Sequence, residues 1–195
     1  MTPQWSGGEF ARLLRRARVG DDDAWSQIYR WLAPEVLGFL TGTGLDDPED
    51  ILGDVFLEVA RRIADFEGDQ RGFRAWVFTI ARSRRIDVLR KRARNPHWRL
   101  DTAEHEVLPA SDDVEADVVG NLSLQDLLDY LKMLTDDQAE VLVLRAIGEL
   151  TAPEIAEITG RTVGAVEQLQ HRATKALRHV LETRKESAPV FGDRV

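Results

Sequence analysis

The stretch Gly72–Arg94, GFRAWVFTIARSRRIDVLRKRAR, constrains the fold more than any other part of the chain. Phe73, Trp76, Val77, Ile80 and Ala81 recur at spacings of three, one, three and one, the period of one helical face. Ile86 and Leu89 carry the stripe further. The other faces hold Arg74, Arg82, Arg84, Arg85, Arg90, Lys91, Arg92 and Arg94, with Asp87 the single acid. Such a segment reads as a helix anchored on its apolar side, with a basic surface on the other. Each Arg or Lys set against a phosphate releases condensed counterions, so the surface suits nucleic acid. Trp76 and Phe73 add flat faces on which unpaired bases can stack. A solvated basic face over an ordinary core is the other reading of this run taken alone.

The chain of 195 residues has a formal net charge of −8, which an evenly charged nucleic-acid binder would not show. The charge is uneven, however. Arg71–Arg99 holds ten basic residues against one acid, whereas Asp101–Asp117 holds seven acids and no Lys or Arg. The local field decides what touches one face. There is no cysteine, so disulfides, thiolate metal sites and cysteine nucleophiles are excluded. His97, His105, His171 and His179 lack zinc-ligand spacing. MTPQWSGGEF does not read as a signal peptide, and no apolar run approaches membrane-spanning length. No constellation of nucleophile, base and orienter emerges. The expectation is a soluble cytoplasmic protein that is not an enzyme, has no cofactor or metal and does not insert into a membrane.

Taken in order, the chain predicts helices throughout. Glu9–Val19 has Phe10, Leu13, Leu14 and Ala17 on one side. Asp21–Asp23 starts a second helix carrying Ala24, Ile28, Tyr29, Leu32, Val36, Leu37 and Leu40, interrupted at Pro34. Thr41–Leu45 is a turn. In Asp46–Ile63, Asp47 is the expected cap, Pro48 fits the first helical position, and Leu52, Val55, Phe56, Val59 and Ile63 form the buried stripe. The acids at its start suit the helix dipole or a docking face for a basic surface. A break at Asn95-Pro96 leads into a polar, acidic stretch from His97 to about Gly120, read as a linker mostly disordered when free.

Helical order returns with Leu124, Leu127, Leu128 and Leu131. Thr135-x-x-Gln138 and Thr151-x-x-Glu154 match capping boxes. Gly148 ends one helix and Gly160 closes a short one; Arg161-Thr162 opens a longer one from Val163 to about Leu181. Two helices joined by a tight turn form a helix-turn-helix. Val163, Val166, Leu169, Ala173, Leu177 and Val180 point inward, which leaves Gly164, Ala165, Glu167, Gln168, His171, Arg172 and Lys175 outward. Gln168 suits adenine edges, Arg172 guanine or phosphate, and Glu167 a cytosine amino group. The tail Glu182–Val195 reads as disordered or weakly docked. A free-standing helix-turn-helix regulator and a protein-only adaptor remain alternatives.

The phrases DPEDILGDVFLEVARRI, FRAWVFTIARSRRIDVLRKRAR and LTAPEIAEITGRTVGAVEQLQHRATKAL, in this order around a linker, resemble the extracytoplasmic-function (ECF) sigma factors of bacteria. The resemblance covers about residues 9–185. It implies an all-α fold of two small helical domains joined by an acidic flexible linker: 1–95, a linker 96–121, a helix-turn-helix domain 122–186 and a tail 187–195. It implies docking of the Asp47–Ile63 helix on the clamp helices of core RNA polymerase through Asp47, Glu49, Asp50, Gly53, Asp54, Glu58 and Arg61. It assigns the −10 promoter element to Phe73, Arg74, Trp76, Arg82, Ser83, Arg84, Arg85, Arg90 and Lys91. The −35 element falls to Arg161, Thr162, Ala165, Glu167, Gln168, His171, Arg172 and Lys175. An anti-sigma factor is the implied inhibitory partner. The chain departs from the family's usual Gln at Gly53, Asn at Ser83 and Lys at Glu167.

Overall fold

The computed structural model describes residues 5–94 and 124–187. Every element among them is helical: α1 (Gly7–Arg18), α2 (Asp22–Gly42), α3 (Pro48–Arg62), a 3-10 turn (Ile63–Asp65), α4 (Gln70–Arg94), α5 (Leu124–Lys132), α6 (Asp136–Ala146), α7 (Ala152–Thr159) and α8 (Val163–Ser187). The all-α expectation agrees with this. The acidic stretch read as a linker lies outside the described residues. So does the tail beyond 187, although α8 runs on past Leu181 to Ser187.

Local chemistry explains most of the boundaries. Ser6 and Glu9 form a reciprocal capping box on α1, and the Asp21 carboxylate accepts from the Ala24 N–H at 2.9 Å to start α2. Helix α2 continues unbroken through Pro34. Asp47 makes no side-chain cap, contrary to expectation; its carboxylate instead lies 3.6 Å from Arg92. An unforeseen cap starts α4, where Asp69 accepts from the Gly72 N–H at 2.7 Å.

The helices α1–α4 close around an aromatic cluster. Phe73 has no exposed surface and meets Phe10, Trp31, Phe66 and Trp76 at ring-centre distances of 5.7, 6.3, 5.1 and 5.5 Å. Tyr29, one of the residues named on the second helix, and Val163, assigned inward, both lie further out. Tyr29 is 47% exposed with its ring against Phe56, and Val163 is 39% exposed.

Helices α5 and α6 pack directly on α2 and α7 on α4, with α8 set against α6 and α7, and a single buried cluster runs through both groups. Gly38 and Gly42 sit one turn apart on α2 and leave a shallow strip. Ile147 fills it at Gly38, where a β-carbon would start 3.2 Å from that side chain; Val143 and Leu131 fill it at Gly42. Gly148 lies beneath Phe78, and its α6–α7 turn passes through Glu149 at φ +50°, a left-handed conformation uncommon for a glutamate.

Candidate nucleic-acid interface

The turn before α8 is built as the sequence implies. Gly160 adopts φ +68° and the Arg161 N–H donates to the Ala156 carbonyl at 3.0 Å. The Thr162 hydroxyl accepts from the Ala165 N–H at 3.2 Å and opens the helix. Val166 and Ala173 are buried against α6 and α7. Thr162, Gly164, Glu167, Gln168, His171, Arg172 and Lys175 face solvent, with Ala165 half-buried among them. Arg161 is set apart from this face by an ion pair with Asp137 at 2.6 Å.

Helix α4 differs from the sequence reading. The stacking role suggested for Phe73 conflicts with its position, because its ring is enclosed in the aromatic core. Trp76 is half-buried against Phe66, with the Arg62 guanidinium 6.0 Å from its ring centre. Arg74, only 7% exposed, lies 2.6 Å from Glu35 and 2.7 Å from Glu149. Arg82 and Arg85 share Glu140, itself 3% exposed, at 3.1 and 3.3 Å. Each of these two arginines also closes a helix end: Arg82 donates to the Ile158 carbonyl at 3.3 Å, and Arg85 to that of Thr43 at 3.2 Å. Arg84 pairs with Glu58 at 2.9 Å and Arg92 with Asp46 at 2.6 Å. Ser83, Arg90, Lys91 and Arg94 stay exposed. The basic run is therefore largely neutralised by acids from distant parts of the chain.

Electrostatics follow from these pairs. Burial pulls Arg85 below its ordinary value while the Glu140 charge pushes back, and a guanidinium has enough range to stay cationic. Glu154 is held down at about 2, chiefly by the hydrogen bond from Arg71, against the opposing effect of burial. Its carboxylate also accepts from the Thr151 N–H at 2.7 Å, so one side chain starts α7 and holds Arg71.

Helix α3 carries the acidic surface. Glu49, Asp50, Gly53, Asp54 and Arg61 are exposed, and Leu57 stands among them at 56% exposure. Asp47 is half-buried, and Glu58 gathers Arg84, Arg61 and Arg62. Among the described residues no group of His, Cys, Asp and Glu has metal-site geometry, and no helix is long and apolar enough to cross a membrane.

The model for sigma-70 region 2 matches residues 27–95, which hold most of α2 and all of α3 and α4; that for sigma-70 region 4 matches residues 124–177, from α5 into α8. The ECF RNA polymerase sigma factor RpoE of Cereibacter sphaeroides is 30% identical over 185 residues, covering 91% of this chain and 98% of its own. The chain belongs to the ECF RNA polymerase sigma factor family. This ECF sigma factor is also 32% identical over 174 residues to BldN of Streptomyces coelicolor; the match covers 87% of the present chain but only 64% of that relative's length. The sigma factor RpoE of Bartonella quintana, solved with the anti-sigma factor NepR, superposes with a TM-score of 0.64 at 25% identity, covering 81% of this chain and 96% of that one. Membership sets aside the free-standing regulator. The residues that sequence reading missed in this ECF sigma factor are the acids Glu35, Glu140, Glu149 and Glu154. Of these only Glu154 carried a local signal, its capping-box spacing.

Proposed function

We propose that this protein directs core RNA polymerase to particular promoters and helps open them, acting by positioning rather than by chemistry, in the cytoplasm. The observation that carries the reading is the solvent-facing surface of α8 from Thr162 to Lys175, set on a tight turn in the same chain as the exposed acidic face of α3. The units at work are residues 1–95 and 122–186. Through Glu49, Asp50, Gly53, Asp54 and Leu57, with Asp47, Glu58 and Arg61 at the margins, α3 docks on the polymerase clamp helices. Gln168, Arg172 and Lys175 meet the −35 duplex, where small Gly164 and Ala165 allow close approach. On the −10 side, Trp76, Ser83, Arg84, Arg90 and Lys91 are half-buried or exposed, whereas Arg74, Arg82 and Arg85 act only once freed from their carboxylates. Polymerase makes the two DNA contacts effectively intramolecular, which supplies affinity that neither helix has alone. A protein inhibitor of the anti-sigma kind, as the Bartonella relative has, is the expected regulator.

The test is run-off transcription with purified core polymerase on a promoter found by transcript mapping after overexpression. Start-site-specific transcripts that require the protein are expected. Failure of folded protein to be retained by core polymerase would overturn the reading.

A further inference from the structure

Arg18 ends α1 at the surface, yet its guanidinium reaches across to the segment that links α3 to α4. Its Nε donates to the Ile63 carbonyl at 3.2 Å and a second nitrogen to the Phe66 carbonyl, 45 and 48 positions along the chain. Carbonyls at a helix end lack partners within it, and a planar guanidinium fork can bind two of them at once. The far end of the same link is tied by the Trp5 N–H, which donates to the Gln70 side chain at 3.1 Å. What the link carries is the Phe66 ring. It is 9% exposed and wedged between Phe73 and Trp76, with ring centres 5.1 and 5.2 Å away. Gly68 lies so close beneath it that a β-carbon there would start 2.9 Å from the ring. We propose that Arg18 is a positioning residue for promoter opening: it holds Phe66, Phe66 sets the tilt of Trp76, and Trp76 takes an unpaired base on its exposed part.

The proposal rests on the promoter-opening reading and adds a residue outside positions 27–95, which the sigma-70 region 2 model matches. Its physical basis is that a stacked base follows the plane of the ring beneath it, so the backing of that ring matters. Trp76 is half-buried and leans on Phe66 at an interplanar angle of 37°. Without the fork the Phe66 carbonyl is free to shift, the ring follows its backbone, and Trp76 loses its support. Arg18 touches no DNA in this scheme. It therefore adds nothing to the salt dependence of promoter binding, whereas a phosphate contact would contribute about one unit of slope. A lysine keeps the charge but not the fork, so charge and positioning can be told apart.

The test uses full-length protein assembled with core polymerase on a promoter found by transcript mapping. Opening is read from permanganate reactivity of unpaired thymines, for wild type, Arg18→Ala, Trp76→Ala and the double variant. Trp76→Ala is expected to reduce opening at least about fivefold, the loss of one stacked base. Arg18→Ala should reduce it about threefold or more, and the double variant should match Trp76→Ala alone. Arg18→Lys, which keeps the charge of α1, should recover less than half of the loss. The salt slope of promoter binding should be the same for Arg18→Ala as for wild type. Losses that multiply in the double variant show a general structural role and overturn the proposal. Full recovery by lysine, or a salt slope reduced by about one, shows a direct phosphate contact and overturns it as well. Wild-type opening by Trp76→Ala overturns it while leaving the promoter-directing reading in place. A wild-type protein that gives no start-site-specific transcript with core polymerase fails that reading, and the proposal with it.

Discussion

Phe73 is enclosed by four aromatic rings, so its contribution is to stability and not to a DNA surface. Phe73→Ala is expected to lower unfolding free energy by about 3–5 kcal/mol, read by urea denaturation; an unchanged midpoint would contradict the enclosure. Arg172 is the opposite case, exposed on α8 with little to lose in folding. A paired arginine–base contact is worth about 1–3 kcal/mol, so Arg172→Ala should cut promoter-specific transcription roughly tenfold. Its circular dichroism should stay that of wild type. Glu154 yields a pH dependence. Its folded value is lowered to about 2, so its contribution is complete above the ordinary carboxylate value and lost as pH falls from about 4.5 through 2. The stability difference between wild type and Glu154→Gln, measured from pH 6 downward, should shrink across that window and vanish below it. A difference that holds constant to pH 2 would remove the Arg71 and Thr151 contacts from the account.

Two helices show what could be read from the chain and what could not. The turn into α8 was legible because its determinants are local: a glycine at the left-handed position, a threonine cap, and apolar residues at helical spacing behind them. Gly160→Ala should therefore cost about 1–2 kcal/mol from backbone strain alone, since no atom crowds that site. Gly160→Asn should cost less, and thermal melts of the two variants check the order. Helix α4 was legible only in part. Its apolar stripe announced a helix and a core, but the burial of Arg74, Arg82 and Arg85 depends on Glu35, Glu140 and Glu149. Those partners lie 39 to 75 positions away in the chain. Nothing in the spacing of a basic residue reveals a distant acid. Asp47 failed as a cap for a related reason: Arg92, far along the sequence, draws its carboxylate away.

At the scale of the molecule, a shared core joins α1–α4 to α5–α8 through the glycine strip of α2. Replacing the apolar wedge with a charge should part the two groups while leaving each folded. Ile147→Lys is expected to raise the radius of gyration in small-angle scattering with helix content retained; an unchanged radius would show that the strip does not hold the halves together. The split into two helical groups was readable from the broken periodicity around the acidic stretch. Their packing was not, because Gly38 and Gly42 look like ordinary weak points in a helix until Ile147 and Val143 are set against them. The double use of Glu140 by Arg82 and Arg85 also bears on how such a protein can evolve. Loss of either arginine leaves the buried Glu140 carboxylate short of one of its two cationic partners, so tolerated changes should arrive in pairs. Among descendants of this chain, the identities at positions 82, 85 and 140 should therefore vary as a set.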